Sequence, residues 1–297
     1  MTDFFGYLGG NSWAFTFSAT VLGLLVGSFL NVVVYRLPIM MERGWRTQCR
    51  ELLGGAETPE PPVDKEEPFN LIVPRSRCPH CGHTVSALEN IPIISYLWLR
   101  GRCAGCGKAI SARYPLVELS SAVLSGITVW HFGFHWTAAA ALFLTWALIA
   151  LTLIDYDHQL LPDDITLPFL WFGLLLSLYG LFTESSASII GATAGYLSLW
   201  SVYMLFKWTT GKEGMGYGDF KLLAMLGAWM GWQALPVIII LSSVVGAIVG
   251  VTLILFRGRD RNVPIPFGPY LAAAGWLTLL WGHDITHRYL MLMGVPS

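Results

Sequence analysis

Two groups of residues in this chain have the types and spacing to do chemistry. The first is a set of cysteines. "CPHCGH" supplies Cys78 and Cys81, and "CAGCG" supplies Cys103 and Cys106, so two C-x2-C pairs stand 21 residues apart. Each pair is followed by a glycine, Gly82 or Gly107, where a tight knuckle turn needs positive φ so that backbone N–H groups face the sulfurs. Four thiolates at this spacing suit tetrahedral zinc in a closed site, which has no open coordination position and therefore holds structure together rather than catalysing. His80 and His83 could stand in for a cysteine, though four sulfurs already complete the shell. Disulfides are the other reading of the same cysteines, and they require an oxidising compartment. Cys49 is left over and reads as an ordinary free thiol.

The second group is acidic. "LIDYDHQLLPDDITLP" (153–168) and "GYGD" (216–219) interrupt stretches otherwise free of charge. Two carboxylates brought within hydrogen-bond reach share a proton, because like charges that close cannot both ionise. The charged one takes a proton from water while the neutral one donates to a carbonyl, which is peptide hydrolysis without a nucleophilic side chain. Asp155 and Asp219 are the pair that can meet, one closing an apolar run and the other opening one. Asp157, about 200° further round a continuing helix, faces away from Asp155. Asp163 and Asp164 follow Pro162 and precede an apolar run, as a helix N-cap does. Capping is equally a reading of Asp219 itself; Gly216 and Gly218 tip the balance, since they let backbone approach the acid closely. Lys221 points elsewhere and snorkels to headgroups, and His158 reads as an interfacial polar residue or a proton carrier.

The elements that must position these residues are membrane helices. Of 297 residues, 54% are apolar and only 12% charged, about half the charge of a soluble domain. No Asp, Glu, Lys or Arg occurs in 119–154, 165–183, 185–206, 222–256 or 262–283, and each stretch holds one or two helices of about 20 residues. The sequence thus predicts an all-α polytopic membrane protein of about eight spans: 13–35, 116–131, 136–154, 165–182, 188–207, 219–232, 235–256 and 266–284. The sixth is short, so it tilts, pairs with a neighbour or thins the bilayer. The first has no Lys or Arg before it and no small-residue cleavage site after it, and reads as a retained anchor.

Of the 18 Lys and Arg, eleven lie between Arg36 and Arg113, three are Lys207, Lys212 and Lys221, and three are Arg257, Arg259 and Arg261, leaving Arg288. With eight spans those seventeen fall on one side, which the positive-inside rule makes cytoplasmic, with both termini outside. The cysteines then sit where thiols stay reduced, which favours metal over disulfide. The acids break the apolar runs on the same side. A polar insert covers 37–115 between a first anchor (1–36) and the remaining membrane core (116–297). Its start, "IMMERGWRTQCRELL" (39–53), reads as a helix lying on the membrane surface, and "GGAETPEPPVDKEEP" (54–68) as a flexible linker. No internal repeat is evident, and a net charge of −1 gives no ground for a nucleic-acid partner.

"GYGDFKLLAMLGAW" resembles the GxGD signature of membrane aspartyl proteases, and "DYDHQLLPD" resembles the first aspartate motif of the bacterial type IV prepilin peptidase/N-methyltransferase family. "GSFLNVVVYRLP" (27–38), the two cysteine knuckles, "ENIPIISYLWLRGRC" (89–103) and "ISARYPLVELSSA" (110–122) are similar to that family's amino-terminal half. The likeness runs in order from about residue 20 to beyond 270. It implies an inner-membrane enzyme that cuts the basic leader from type IV prepilins and type II secretion pseudopilins at the cytoplasmic face, usually after a glycine. It also implies methylation of the new amino terminus with S-adenosylmethionine. The resemblance places the catalytic aspartates at Asp155 and Asp219 and the zinc ligands at Cys78, Cys81, Cys103 and Cys106. Relatives limited to cleavage lack the cysteine-bearing insert, so its presence favours methylation.

The methyl-donor site is not legible. No strand-led glycine fingerprint occurs in the insert, which is too short for a soluble methyltransferase domain. Gly101 and Arg102 are the candidates, with Glu89, Asn90 and Glu118; a knuckle turn, solvated faces and an interfacial cap account for them equally. Asn31 and Arg36 could meet substrate, and Arg36 also fits a topology-setting role. Three rivals remain: a peptidase without methyl transfer, a proton-coupled transporter, which would place acids near the midplane, and a non-enzymatic zinc scaffold.

Overall fold

The computed structural model describes residues 6, 9–53, 69–257 and 266–292. The linker expected at 54–68 lies outside the described residues, as do Arg259 and Arg261. Among the described residues the long elements are all helices: α1 (Ser12–Leu52), the short α2 (Ile94–Trp98), α3 (Arg113–Phe132), α4 (Trp136–His158), α5 (Asp163–Ser177), α6 (Ser185–Thr210), α7 (Tyr217–Met230), α8 (Leu235–Arg257) and α9 (Gly268–Leu292). Eight of these stand where spans are expected. By length and composition four qualify to cross a membrane: α1, α4, α6 and residues 232–253. With 15 and 14 residues, α5 and α7 reach only about 22 Å, short of the ~30 Å hydrocarbon layer. The chain divides into two units, Met1–Ile127 and Thr128–Ser297.

In the first unit, α1 corrects the expected break near residue 35. It is one helix of 41 residues that starts where the Asn11 side chain caps the Ala14 N–H and runs on through Pro38. Proline removes one helical hydrogen bond, and the segment beyond it is made mostly of good helix formers with an i,i+4 pair, Glu42 to Arg46 at 2.6 Å. The membrane-surface helix expected at 39–53 is therefore the continuation of α1. Where α1 meets α3, Gly23 and Gly27 lie against Ser125, Ser121 and the Glu118 backbone, with no room for a Cβ. Small residues at a helix crossing allow such close approach in membranes.

In the second unit, α7 is apolar on every face beyond Lys221 and correspondingly enclosed. Phe220, Leu222, Leu223, Met225, Leu226 and Trp229 are at most 1% exposed. Its most extensive packing is on α6, then α5. Gly227 of α7 sits against the backbone of Gly191 on α6, and the Ser188 hydroxyl donates to the Ala228 carbonyl. Trp229 donates Nε1–H to the Phe169 carbonyl at 2.8 Å. This packing fixes the start of α7, and Asp219 with it. Because a Cβ at Gly227 meets backbone, which cannot swing aside, Gly227→Val should cost about 1–3 kcal/mol and lower the thermal unfolding midpoint in detergent. Gly44→Ala, with nothing within 4 Å, should leave that midpoint unchanged or slightly raised.

Candidate functional site

Asp155 and Asp219 are 6% and 7% exposed, unusual burial for carboxylates. Asp155 stands in the last turn of α4. The helix ends there because Gln159 turns left-handed (φ 53) and returns its N–H to the Asp155 carbonyl at 2.9 Å. The Asp155 carboxylate accepts the Gly268 N–H on Oδ2 at 2.9 Å. Gly268 opens α9, and the first amides of a helix have no intrahelical acceptor and lie at the positive end of its dipole.

Asp219 is the third residue of α7. The N-cap of that helix is Gly216, and no side chain caps it, so Asp219 is not occupied as a cap. Leu161 joins the two acids: it packs against Gly218 on one side and Gly268 on the other, and Gly268 adjoins the Asp155 carboxylate. Gly218 has the close contact expected of it, since a Cβ there would lie 2.8 Å from Leu161. Gly216 does not: nothing lies within 4 Å and its φ is −81°, so close approach is not what glycine supplies at that position.

The neighbouring acids are arranged otherwise. Asp157 and His158 are exposed. Asp163 is in the first turn of α5 behind Pro162, the N-cap, and no side chain caps that helix either. Asp163 instead accepts Lys221 Nζ at 2.7 Å on both carboxylate oxygens, so Lys221 does not snorkel to headgroups but ties α7 to α5. Gly268 is the participant that sequence reasoning missed; "PFGP" (266–269) was a signal, being turn punctuation ahead of a charge-free run.

In the first unit the four cysteines converge, with all four sulfurs within 4.8 Å of one another. Cys78 and Cys106 Sγ are 3.9 Å apart, as are Cys81 and Cys103, close to the roughly 3.8 Å between sulfurs on a tetrahedral zinc. The two knuckles are copies. In each, the glycine has positive φ, +72° at Gly82 and +71° at Gly107, and donates to the first cysteine's carbonyl, while that cysteine's N–H donates to His83 or Lys108. Each is closed by an antiparallel bridge, Arg77 with Thr84 and Arg102 with Ala109. "RCPHCGHT" and "RCAGCGKA" are thus a short internal repeat, which corrects the expectation of none. The His80 and Cys81 backbone amides hold the Cys78 thiol down at about 6, whereas at Cys81 the His83 amide is outweighed by burial and the other three sulfurs, which push that thiol up to about 12. His83 is paired with Glu89 at 3.1 Å and His80 with Lys108 at 3.3 Å, so neither imidazole competes as a ligand. The Ser86 backbone N–H, with the Ser86 hydroxyl and His83, keeps Glu89 below the usual carboxylate range. Cys49 is exposed on α1.

Gly101 has a structural reason for its type, a φ of +67° and a flank against Tyr96; Arg102 is exposed beside it. Arg36 is buried and donates to the Asn70 carbonyl at 2.8 Å and to that of Pro74, tying that loop to α1. Asn31 donates to the Tyr114 carbonyl at 3.2 Å, and Glu118 accepts the Ile93 N–H at 2.8 Å.

Against this geometry, the Bacterial Peptidase A24 N-terminal domain matches residues 21–132, and the Type IV leader peptidase family matches residues 142–251. The chain is 59% identical over 284 residues to a Prepilin leader peptidase/N-methyltransferase of Stutzerimonas stutzeri, covering 96% of each chain. It is 59% identical to that of Pseudomonas aeruginosa over 97% of this chain and 98% of the relative, and 49% identical to that of Xanthomonas campestris over 94% and 95%. The chain belongs to the type IV leader peptidase family. No solved structure gives a significant match. The first family segment contains the knuckles and Glu118; the second contains Asp155 and Asp219 but stops short of Gly268.

Proposed function

We propose that this family member removes the basic leader from type IV prepilins and type II secretion pseudopilins at the cytoplasmic face of the bacterial inner membrane, then methylates the new amino terminus. The observation that supports the reading is that two aspartates are buried on different helices, with Leu161 packed against Gly218, the residue before Asp219, and against Gly268, which adjoins the Asp155 carboxylate, in a chain that matches prepilin leader peptidase/N-methyltransferases over almost its whole length. Asp155 and Asp219 are the catalytic residues. The pair shares one proton; the ionised member takes a proton from water as it attacks the scissile carbonyl, and the other protonates the carbonyl oxygen. Leu161 and the α9 entrance wall the pair, and a glycine before the scissile bond lets substrate backbone reach it. The substrate's apolar segment stays in lipid while its basic leader remains in water.

Cys78, Cys81, Cys103 and Cys106 hold a structural zinc, whose chemistry is to cross-link the two knuckles. When bound, S-adenosylmethionine supplies the methyl group: the freed amine nitrogen attacks it, the carbon–sulfur electron pair stays on sulfur, and the amine gives up a proton. Functionally the chain divides into an anchor (1–36), the zinc-bearing insert (37–115) and the peptidase core (116–297). A transporter is disfavoured because the acids stand at helix ends, α4's last turn and α7's first.

Purified enzyme in liposomes, given a prepilin and S-adenosylmethionine, should yield a product shortened by its leader and heavier by one methyl group, as read by mass spectrometry. Unaltered precursor would overturn the reading, and a cleaved but unmethylated product would reduce it to a peptidase. Gly268→Ala sharpens the assignment of Asp155. Its Cβ would sit 2.6 Å from Asp155 Oδ2, forcing the carboxylate off its amide, and cleavage should fall by about 10–100-fold with little change in the melting midpoint.

A further inference from the structure

The first unit contains a cavity of about 590 Å³ bounded by α1, the 89–99 segment, the knuckles and the start of α3. That volume suits a nucleoside-sized ligand. We propose that this cavity is the methyl-donor site and that Glu118 is the carboxylate that binds the donor's cationic end; the inference rests on the methyltransferase reading above.

Glu118 lines the cavity while being only 8% exposed. One of its oxygens is fixed by the Ile93 N–H at 2.8 Å. The turn that delivers this N–H is a costly one: Ile93, β-branched, has φ 60° and ψ −48°, a conformation such residues avoid. Its neighbour Ile94 donates to the Pro92 carbonyl two residues back, the tight three-residue turn that accompanies that conformation. A carboxylate held at a cavity wall by this N–H and by the Ser28 side chain calls for a cation, and of the three Lys and Arg that line the cavity with it, Arg36, Arg77 and Lys108, two are committed elsewhere. Arg36 is spent on the Asn70 and Pro74 carbonyls, and Lys108 contacts His80.

A sulfonium compound bearing an ammonium group supplies the missing charge. Tyr96 and Tyr114 line the same cavity, and aromatic faces favour both a cationic sulfur and a stacked purine. Asn31 spends its amide N–H on Tyr114, leaving its carbonyl oxygen to accept from the ligand. Cys78 and Cys103 contribute to the wall, so the metal shapes this cavity without entering the transfer. This gives the insert a role beyond stability: its knuckles complete the donor pocket.

The test is equilibrium dialysis of the zinc-loaded full-length protein in detergent with radiolabelled S-adenosylmethionine, S-adenosylhomocysteine serving as competitor. Glu118→Gln removes the charge, and Val32→Trp fills the cavity from α1. Zinc content and the thermal midpoint serve as controls for folding. Wild type should bind one donor per chain, and each variant that keeps its zinc should bind at least about tenfold more weakly. Wild-type affinity in either zinc-loaded variant would place the donor elsewhere and overturn the proposal. Failure of wild type itself to bind would instead overturn the methyltransferase reading on which the proposal rests.

Discussion

Removing the metal should dismantle the knuckles and abolish methyl transfer. A closed four-thiolate zinc site is worth about 10–16 kcal/mol to a small domain, and little else here replaces it: Cys81 and Cys106 are exposed, Cys78 and Cys103 only partly covered, and each knuckle is closed by an isolated bridge rather than a sheet. Cys78→Ser or Cys103→Ser should therefore take bound zinc from one per chain to none and open residues 75–110 to limited proteolysis. Methyl transfer to a pre-cleaved substrate should fall below detection. Cys49→Ser should change none of these. The result also decides between metal and disulfide: a chelator should reproduce the cysteine variants, whereas a reductant alone should do nothing. Protease resistance that survives chelation and is lost on reduction would reverse that assignment.

The larger effect on cleavage belongs to the aspartates. Asp155→Asn and Asp219→Asn should each lower leader cleavage by at least about 10³-fold, since one carboxylate alone cannot both accept and donate the proton. Stability should change little, because asparagine keeps the shape and its carbonyl oxygen still accepts the Gly268 N–H. Neighbouring acids set the contrast. Asp157 is exposed, and Asp163 pairs with Lys221 at half-exposure, where an ion pair contributes at most about 1 kcal/mol. Asp157→Asn and Asp163→Asn should stay within a few-fold of wild type.

Local pattern made some of this legible. The spacing of Cys78, Cys81, Cys103 and Cys106 is short-range information, and so are glycines at the two positive-φ positions; the structure brings these four sulfurs together as that pattern requires. The helices were legible from charge-free runs, because in lipid the backbone must satisfy its own hydrogen bonds. Contacts made across the chain were less so. Gly268 reaches Asp155 from 113 residues away, and Lys221 finds Asp163 rather than headgroups; neither partner is marked by periodicity. The end of α1 was misplaced because the apolar run gives way to a polar insert at Arg36, although the helix itself continues through Pro38, good formers on both sides absorbing the lost bond. Glu118 read equally as a donor-site candidate and as an interfacial cap, because what distinguishes it, the turn at Ile93 and a cavity, is tertiary.

The most direct test of the central claim is cleavage of a prepilin in liposomes by wild type, Asp155→Asn and Asp219→Asn in parallel, with mass spectrometry of the product's amino terminus. The paired-acid account predicts a shortened, methylated product from wild type and intact precursor from both variants, each melting as wild type does. Cleavage by either variant within tenfold of the wild-type rate would contradict it.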